Sequence, residues 1–332
     1  MNQPLAPANE SLIQFLRIGA DMVNREELEK HSMSSRPASQ NLLMDNSIAI
    51  KTITIRAKHY INLAGFYKTV LGLEVMEHDK NRRTILLGRN NLALIRVIDG
   101  NTLPEHNKRE PGLFHFALLY PHESALASAL LRVSYYNPEL YRGSADNGVS
   151  TSFYLEDTEG NGIKLYADRN RNSWKWRGDN IQIGHKDVDF NDFIQWRFNP
   201  KIDEAWDKQP LRIGHIHFQV GSVNQAKTFY KNLLGFNNTL DLPSVSFFST
   251  AGYHQHFSVN SWNCRNLAPR NEKRGLETVE VVYGDENYMS ALQRNVQKTS
   301  YKYWTDNNKK FCLQDPLTNV VFTFSYMERR QS

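Results

Sequence analysis

A chain of 332 residues, 40% of them hydrophobic, has the length of about two domains and enough apolar side chains for a large buried core. Its net charge of +5 is dispersed along the sequence, which argues against a nucleic-acid partner, since a basic footprint is clustered. Two cysteines, Cys264 and Cys312, exclude a disulfide framework, no apolar run reaches the roughly 18 residues of a membrane span, and the start lacks a secretory pattern, so a cytoplasmic setting is expected.

Residues 1–46 read as an N-terminal arm. Asn9 or Ser11 caps a helix carrying Leu12, Ile13, Leu16, Met22 and Val23, ahead of a polar stretch over residues 31–46. Residues 50–56 then alternate as a strand does, and Leu63, Phe66, Tyr67, Val70 and Leu71 follow at helical spacing until Gly72 stops the helix. Short strands are expected at 84–87 and 92–98. A second unit opens with a strand over 113–119, continues with a helix holding Ala125, Leu126, Ala129 and Leu130, and closes with strands at 152–155 and 163–167 around a turn at 156–162.

The chain then repeats itself. Adding 163 to a position carries Ile50 to Ile213, Phe66-Tyr67-Lys68 to Phe229-Tyr230-Lys231, Leu71-Gly72 to Leu234-Gly235 and Gly112-Leu113 to Gly275-Leu276. Similarity at a fixed spacing marks a duplicated architecture. Each half holds two βαβββ units, the later pair at 213–262 and 276–326, with residues 171–211 as connector.

Chemistry concentrates in histidines. His215 and His217 in Gly214-His215-Ile216-His217-Phe218, and His254 and His256 in Tyr253-His254-Gln255-His256-Phe257, have the two-residue spacing of one strand face. Imidazoles gathered from two strands ligate transition metals and carry protons near neutral pH.

These features together resemble the vicinal oxygen chelate superfamily, and within it the bacterial catechol 2,3-dioxygenase-like ring-cleaving proteins. The resemblance rests on the four units, the helix-end pattern Phe-Tyr-Lys-x-x-Leu-Gly, the strand Gly214-His215-Ile216-His217, the segment Gly252-Tyr253-His254-Gln255-His256, the turn Asp157-Thr158-Glu159-Gly160-Asn161-Gly162, and Tyr166-Ala167-Asp168-Arg169 followed by Trp174. It implies an α+β fold of four βαβββ units forming paired half-barrels, with glyoxalase-like domains at 47–170 and 212–332. It also implies a divalent metal, Fe(II) first, with Mn(II) or Zn(II) as alternatives.

In the four units the first-strand ligand position reads Thr52, His115, His215 and Thr278. The second and third units are therefore expected to share the metal cup, with His115 and His215 as ligands. The family's third ligand is the glutamate of a Gly-Ile-Glu strand, where this chain has Gly162-Ile163-Lys164. An ammonium repels a divalent ion. A family histidine ahead of Val-Ser is likewise replaced, in Asp146-Asn147-Gly148-Val149-Ser150, by Asn147, which cannot shuttle a proton at neutral pH.

Aligning Gly162-Ile163-Lys164 with Gly252-Tyr253-His254 offers His254, or His256 beside it, as a replacement ligand. His115, His215 and His254 are then the expected metal set, and His217, His256 and Tyr253 the expected catalytic or substrate-facing groups, with Trp174, Trp176 and Trp262 as further aromatic candidates. Three functions follow: metal-dependent cleavage of a small aromatic vicinal diol, non-catalytic binding of a small ligand, or a glyoxalase-type lyase or isomerase. Lys164 and Asn147 favour the second. No nucleic-acid or membrane partner is expected, and exposed strand edges suit a homodimer.

Overall fold

In the computed structural model residues 48–269, 272–308 and 310–326 are described, so the N-terminal arm and its helix lie outside the described residues. Every unit has the same plan. Unit one runs β1 (Ile48–Ala57), α1 (Tyr60–Thr69), β2 (Glu74–Asp79), β3 (Thr84–Arg89) and β4 (Leu92–Asp99). Unit two runs β5 (Gly112–Tyr120), α2 (Glu123–Tyr136), β6 (Tyr141–Asp146), β7 (Ser150–Glu156) and β8 (Gly162–Asp168). The connector contributes a small hairpin, β9 (Trp176–Arg177) and β10 (Asn180–Ile181), and α3 (Phe190–Arg197). Unit three comprises β11 (Arg212–Gln219), α4 (Val223–Lys227) continuing as a π-helix over Thr228–Leu233, β12 (Asn237–Leu242), β13 (Val245–Ser249) and β14 (Phe257–Asn260). Unit four comprises β15 (Gly275–Tyr283), α5 (Glu286–Val296), β16 (Tyr303–Thr305), β17 (Phe311–Gln314) and β18 (Val321–Tyr326).

Within each unit the first strand pairs in parallel with the last, and the other two follow as an antiparallel meander. The expected βαβββ plan is therefore present four times. Units join through their first strands: β5 pairs antiparallel with β11, and β1 with β15. Units two and three thus share one cup and units one and four the other, while β1 and β11 meet at a single pair, Ile50 and Ile213.

Alternation decides which face each strand turns inward. On β5 and β11 the apolar Leu113, Phe116, Leu118, Ile213, Ile216 and Phe218 enter one large core with the helices. Fully burying such a side chain stabilises by about 1.5–3 kcal/mol. The opposite face of the same strands carries His115, Ala117, His215 and His217, and that face lines the cup.

Buried tyrosines fasten the units of each half. Tyr67 of α1 donates to Asp157 Oδ2 at 2.6 Å, and Tyr230, its counterpart 163 residues on, donates to Asp315 Oδ2 at 3.3 Å. Here the repeated Phe-Tyr-Lys motif has its physical purpose. Gly72 has φ 65°, the left-handed end of α1, and an added Cβ would lie 1.7 Å from the Trp206 ring that packs there.

Candidate functional site

Two bulges aim the cup's histidines. Pairing of β11 with β5 slips by one residue between Ile213 and His215, leaving Gly214 as the extra residue, and again between His217 and Phe218, where Phe114 is the extra residue on β5. A shift of 100 residues carries Phe114 to Gly214, His115 to His215, and the α2 cap His122 to the α4 cap Ser222. Each imidazole therefore follows a bulge related to the other by pseudo-twofold symmetry, and a bulge re-aims the next side chain. Both glycines of the motifs are needed for contact. A Cβ on Gly214 would stand 1.8 Å from the Tyr166 hydroxyl, and one on Gly162 would stand 2.2 Å from the Phe114 carbonyl oxygen.

His115 and His215 meet with their Nε2 atoms 3.2 Å apart, both rings buried. Gln255 Nε2 approaches His215 Nε2 at 3.0 Å, and Ser258 Oγ donates to Gln255 Oε1 at 3.0 Å. His215 Nδ1 is buried without a partner among the described residues. His217 joins the group, its ring centre 5.0 Å from that of His115, and its Nε2 accepts from Asn260 at 3.0 Å.

Lys164 stands in the same cup. It pairs in register with Ala117, only 2% of it is exposed, and its Nζ lies 5.0 Å from the Tyr166 ring centre and 5.8 Å from that of Tyr154. No ion pair to Lys164 occurs among the described residues. Burial holds His115 and His215 well below the ordinary imidazole range, and a proton on either would be repelled by Lys164 and by protonation of the neighbouring imidazoles. Burial and Lys164 also lower His217 to about 3. All three imidazoles are neutral at physiological pH.

The other expected residues fall elsewhere. His254 Nε2 bonds Asp168 Oδ1 at 3.0 Å, and Tyr253 donates to Asp168 Oδ2 at 3.0 Å and meets the Tyr166 hydroxyl at 2.8 Å. That network borders the cup, with the His254 and His215 ring centres 6.4 Å apart. His256 Nδ1 accepts from Ser249 Oγ at 2.7 Å and closes the turn before β14. Alignment of Gly252-Tyr253-His254 with Gly162-Ile163-Lys164 is corrected by the strand register. Ala117 faces Lys164 and its equivalent His217 faces Ser258, so Ser258, not His254, holds the position matching Lys164. Residues 250–256 form the connection between β13 and β14, and Gly252 has positive φ.

Asn147 also has a local duty, its Oδ1 accepting from the Ser150 and Val149 amides at 2.8 and 3.3 Å. Of the aromatic candidates, Trp174 is buried against Tyr253, Trp176 is exposed, and half-buried Trp262 stands with Phe114 beside His217. Gln255 was not anticipated, because a single glutamine between two histidines carries no spacing signal.

Do these residues suit a divalent metal? Two imidazole nitrogens 3.2 Å apart can share an ion at bonds of about 2.1 Å with an angle near 100°. The rest of the set disagrees. Lys164 brings a positive charge to the carboxylate's position, His215 Nδ1 lacks the acceptor that usually orients a ligating histidine, and no group of three His, Cys, Asp or Glu side chains converges among the described residues. The donor set does not fit a divalent ion.

The paired cups, their first-strand seams and the histidines on them define a vicinal oxygen chelate protein, and the chain belongs to that superfamily. It is 30% identical over 294 residues to the catechol-2,3-dioxygenase of Bacillus subtilis (strain 168), a match covering 84% of this chain and 97% of that protein. Among solved structures, a candidate dioxygenase from Bacillus subtilis subsp. subtilis str. 168 superposes with a TM-score of 0.56 at 12% identity, covering 84% of this chain and 85% of the other. The cppA protein of Streptococcus pneumoniae TIGR4 superposes with a TM-score of 0.55 at 11% identity, covering 85% and 99%. These two likenesses concern the fold. No family model matches the chain. No helix among the described residues is long and apolar enough to cross a membrane.

Proposed function

We propose that this chain is a small-ligand-binding member of its superfamily, whose cup from units two and three receives a small aromatic molecule with vicinal oxygens without ring cleavage. Lys164 carries this reading: a buried ammonium, unpaired among the described residues, at the register position where the resemblance places a glutamate. Its charge attracts a phenolate-type oxygen, and such a charge-assisted hydrogen bond contributes about 1.5–3 kcal/mol. Neutral His115 and His217 supply further polar contacts, and the half-buried rings of Phe114, Tyr154 and Trp262 offer apolar faces for an aromatic ring. Tyr253, His254 and His256 act as supports of the cup wall. The catechol class of ligand is carried over from the name of the Bacillus subtilis relative.

The alternative, divalent-metal-dependent ring cleavage with Fe(II), or with Mn(II) or Zn(II), draws on that relationship and on the 3.2 Å separation of His115 and His215. It needs a third protein ligand that the cup does not supply among the described residues. A glyoxalase-type lyase or isomerase would need the same missing carboxylate.

Protein purified without chelator and analysed for metals, then titrated calorimetrically with catechol and with 1,2-dimethoxybenzene, separates the readings. The expected result is one catechol bound per chain, unaffected by chelator, and no oxygen uptake after anaerobic Fe(II) loading. Stoichiometric metal whose removal abolishes binding, or oxygen consumption with ring opening, overturns the proposal.

A further inference from the structure

A second group of buried polar atoms lies where unit one, unit two and the connector meet. Arg89 ends β3 and is 1% exposed; its Nη2 donates to the Leu71 and Gly72 carbonyls at 2.9 and 3.1 Å, beyond the end of α1. Its Nε is buried without a partner among the described residues. Arg132 of α2 repeats the situation, with Nε buried and unpartnered. Both guanidiniums pack on one ring, Trp206 of the connector, at 4.6 Å for Arg89 and 3.8 Å for Arg132. The buried hydroxyl of Tyr120, at the end of β5, is unpartnered too, and it lies within electrostatic reach of both arginines.

Neither arginine makes an ion pair among the described residues. Glu74 and Asp207 act on Arg89 only through space, and both are exposed. Burying like charges together without a counter-charge is unfavourable, and a buried donor left unpaired adds to the cost. The three groups lack the same thing: an acceptor that carries negative charge. Water would satisfy a donor and leave the charges uncompensated.

We propose that Arg89, Arg132 and Tyr120 bind a small oxyanion of the phosphate class, with Trp206 as the wall behind both guanidiniums. A tetrahedral dianion offers several acceptors to donors arriving from three elements, and planar guanidinium groups suit such oxygens. Gly72 allows the connector to close on this place, since any side chain there would displace Trp206.

The test uses the full chain, titrated with inorganic phosphate at an ionic strength held constant with chloride, and followed by thermal unfolding and tryptophan fluorescence. The expected result is a saturable rise in Tm with a fluorescence change, a weaker effect of sulfate and none of acetate. Half-buried Arg132→Gln should weaken phosphate binding about tenfold or more, as should Arg89→Gln, and Trp206→Phe should remove the fluorescence change. Should Arg89→Gln fail to fold, Arg132→Gln decides. A response to phosphate no greater than to chloride, equal phosphate affinity in Arg132→Gln and the parent, or a fluorescence change that persists in Trp206→Phe overturns the proposal.

Discussion

Replacing Lys164 with methionine should move stability and ligand binding in opposite directions. The side chain is 2% exposed and faces two tyrosine rings, without a carboxylate partner among the described residues. Taking an ammonium out of water costs several kcal/mol, of which cation–π contact with desolvated rings returns about 2 kcal/mol. Methionine fills a similar volume without the charge, so Lys164→Met should stabilise the fold by about 1–3 kcal/mol, equivalent to a Tm increase of roughly 2–5 °C. The same change removes the proposed charge-assisted bond and should weaken catechol binding about tenfold to a hundredfold. Urea unfolding followed by circular dichroism gives the first quantity, and calorimetric titration the second. A variant that is less stable than the parent and binds catechol equally well would refute both steps, showing that the ammonium is compensated and does not face the ligand.

Lys164→Glu should bind Zn²⁺ or Mn²⁺ at least about tenfold more tightly than the parent, because a third donor then joins His115 and His215; equal weak binding in a metal titration would place the coordinating surface elsewhere. Gly214→Ala should cost about 2–4 kcal/mol, since its Cβ displaces the buried Tyr166 ring and breaks the 2.8 Å bond to Tyr253; an unchanged denaturation midpoint would show that the bulge can relax. Burial raises Asp315 to about 6, so its protonated form favours the fold: its contribution is complete below about pH 4 and is lost as pH rises through about 6, on the order of 3 kcal/mol. Unfolding free energies of the parent and Asp315→Asn measured between pH 4 and 7 should diverge by that trend, and parallel profiles would contradict the assignment.

The repeat was legible because its residues have fixed duties. Tyr67 and Tyr230 each reach a buried aspartate, and Gly72 and Gly235 each turn a helix end with positive φ, so neither pair can drift without cost. Sharing of one cup by His115 and His215 was legible because, of the four first-strand positions, only those of units two and three carry histidine. The role given to His254 was not, because Tyr253-His254-Gln255-His256-Phe257 alternates like a strand while its register depends on a partner 40 residues away in sequence. Each bulge also shifts the alternation by one residue. That shift was written in the sequence of β1, where buried Ile48 and Ile50 give way to Ile53 and Ile55 across Lys51, and the same change of phase on β11 marks Gly214.

Pairing of unit two with unit three, and of unit one with unit four, interlocks the two halves of the gene product. Neither half owns a cup: a fragment stopping in the connector would leave β1 and β5 without the strands they face, presenting two long apolar edges to solvent. Separately made halves should therefore find their stable form only in each other's company, as a split protein that reassembles with both cups at once. For the same reason each cup draws its pair at the first-strand position from both halves, His115 and His215 in one and Thr52 and Thr278 in the other.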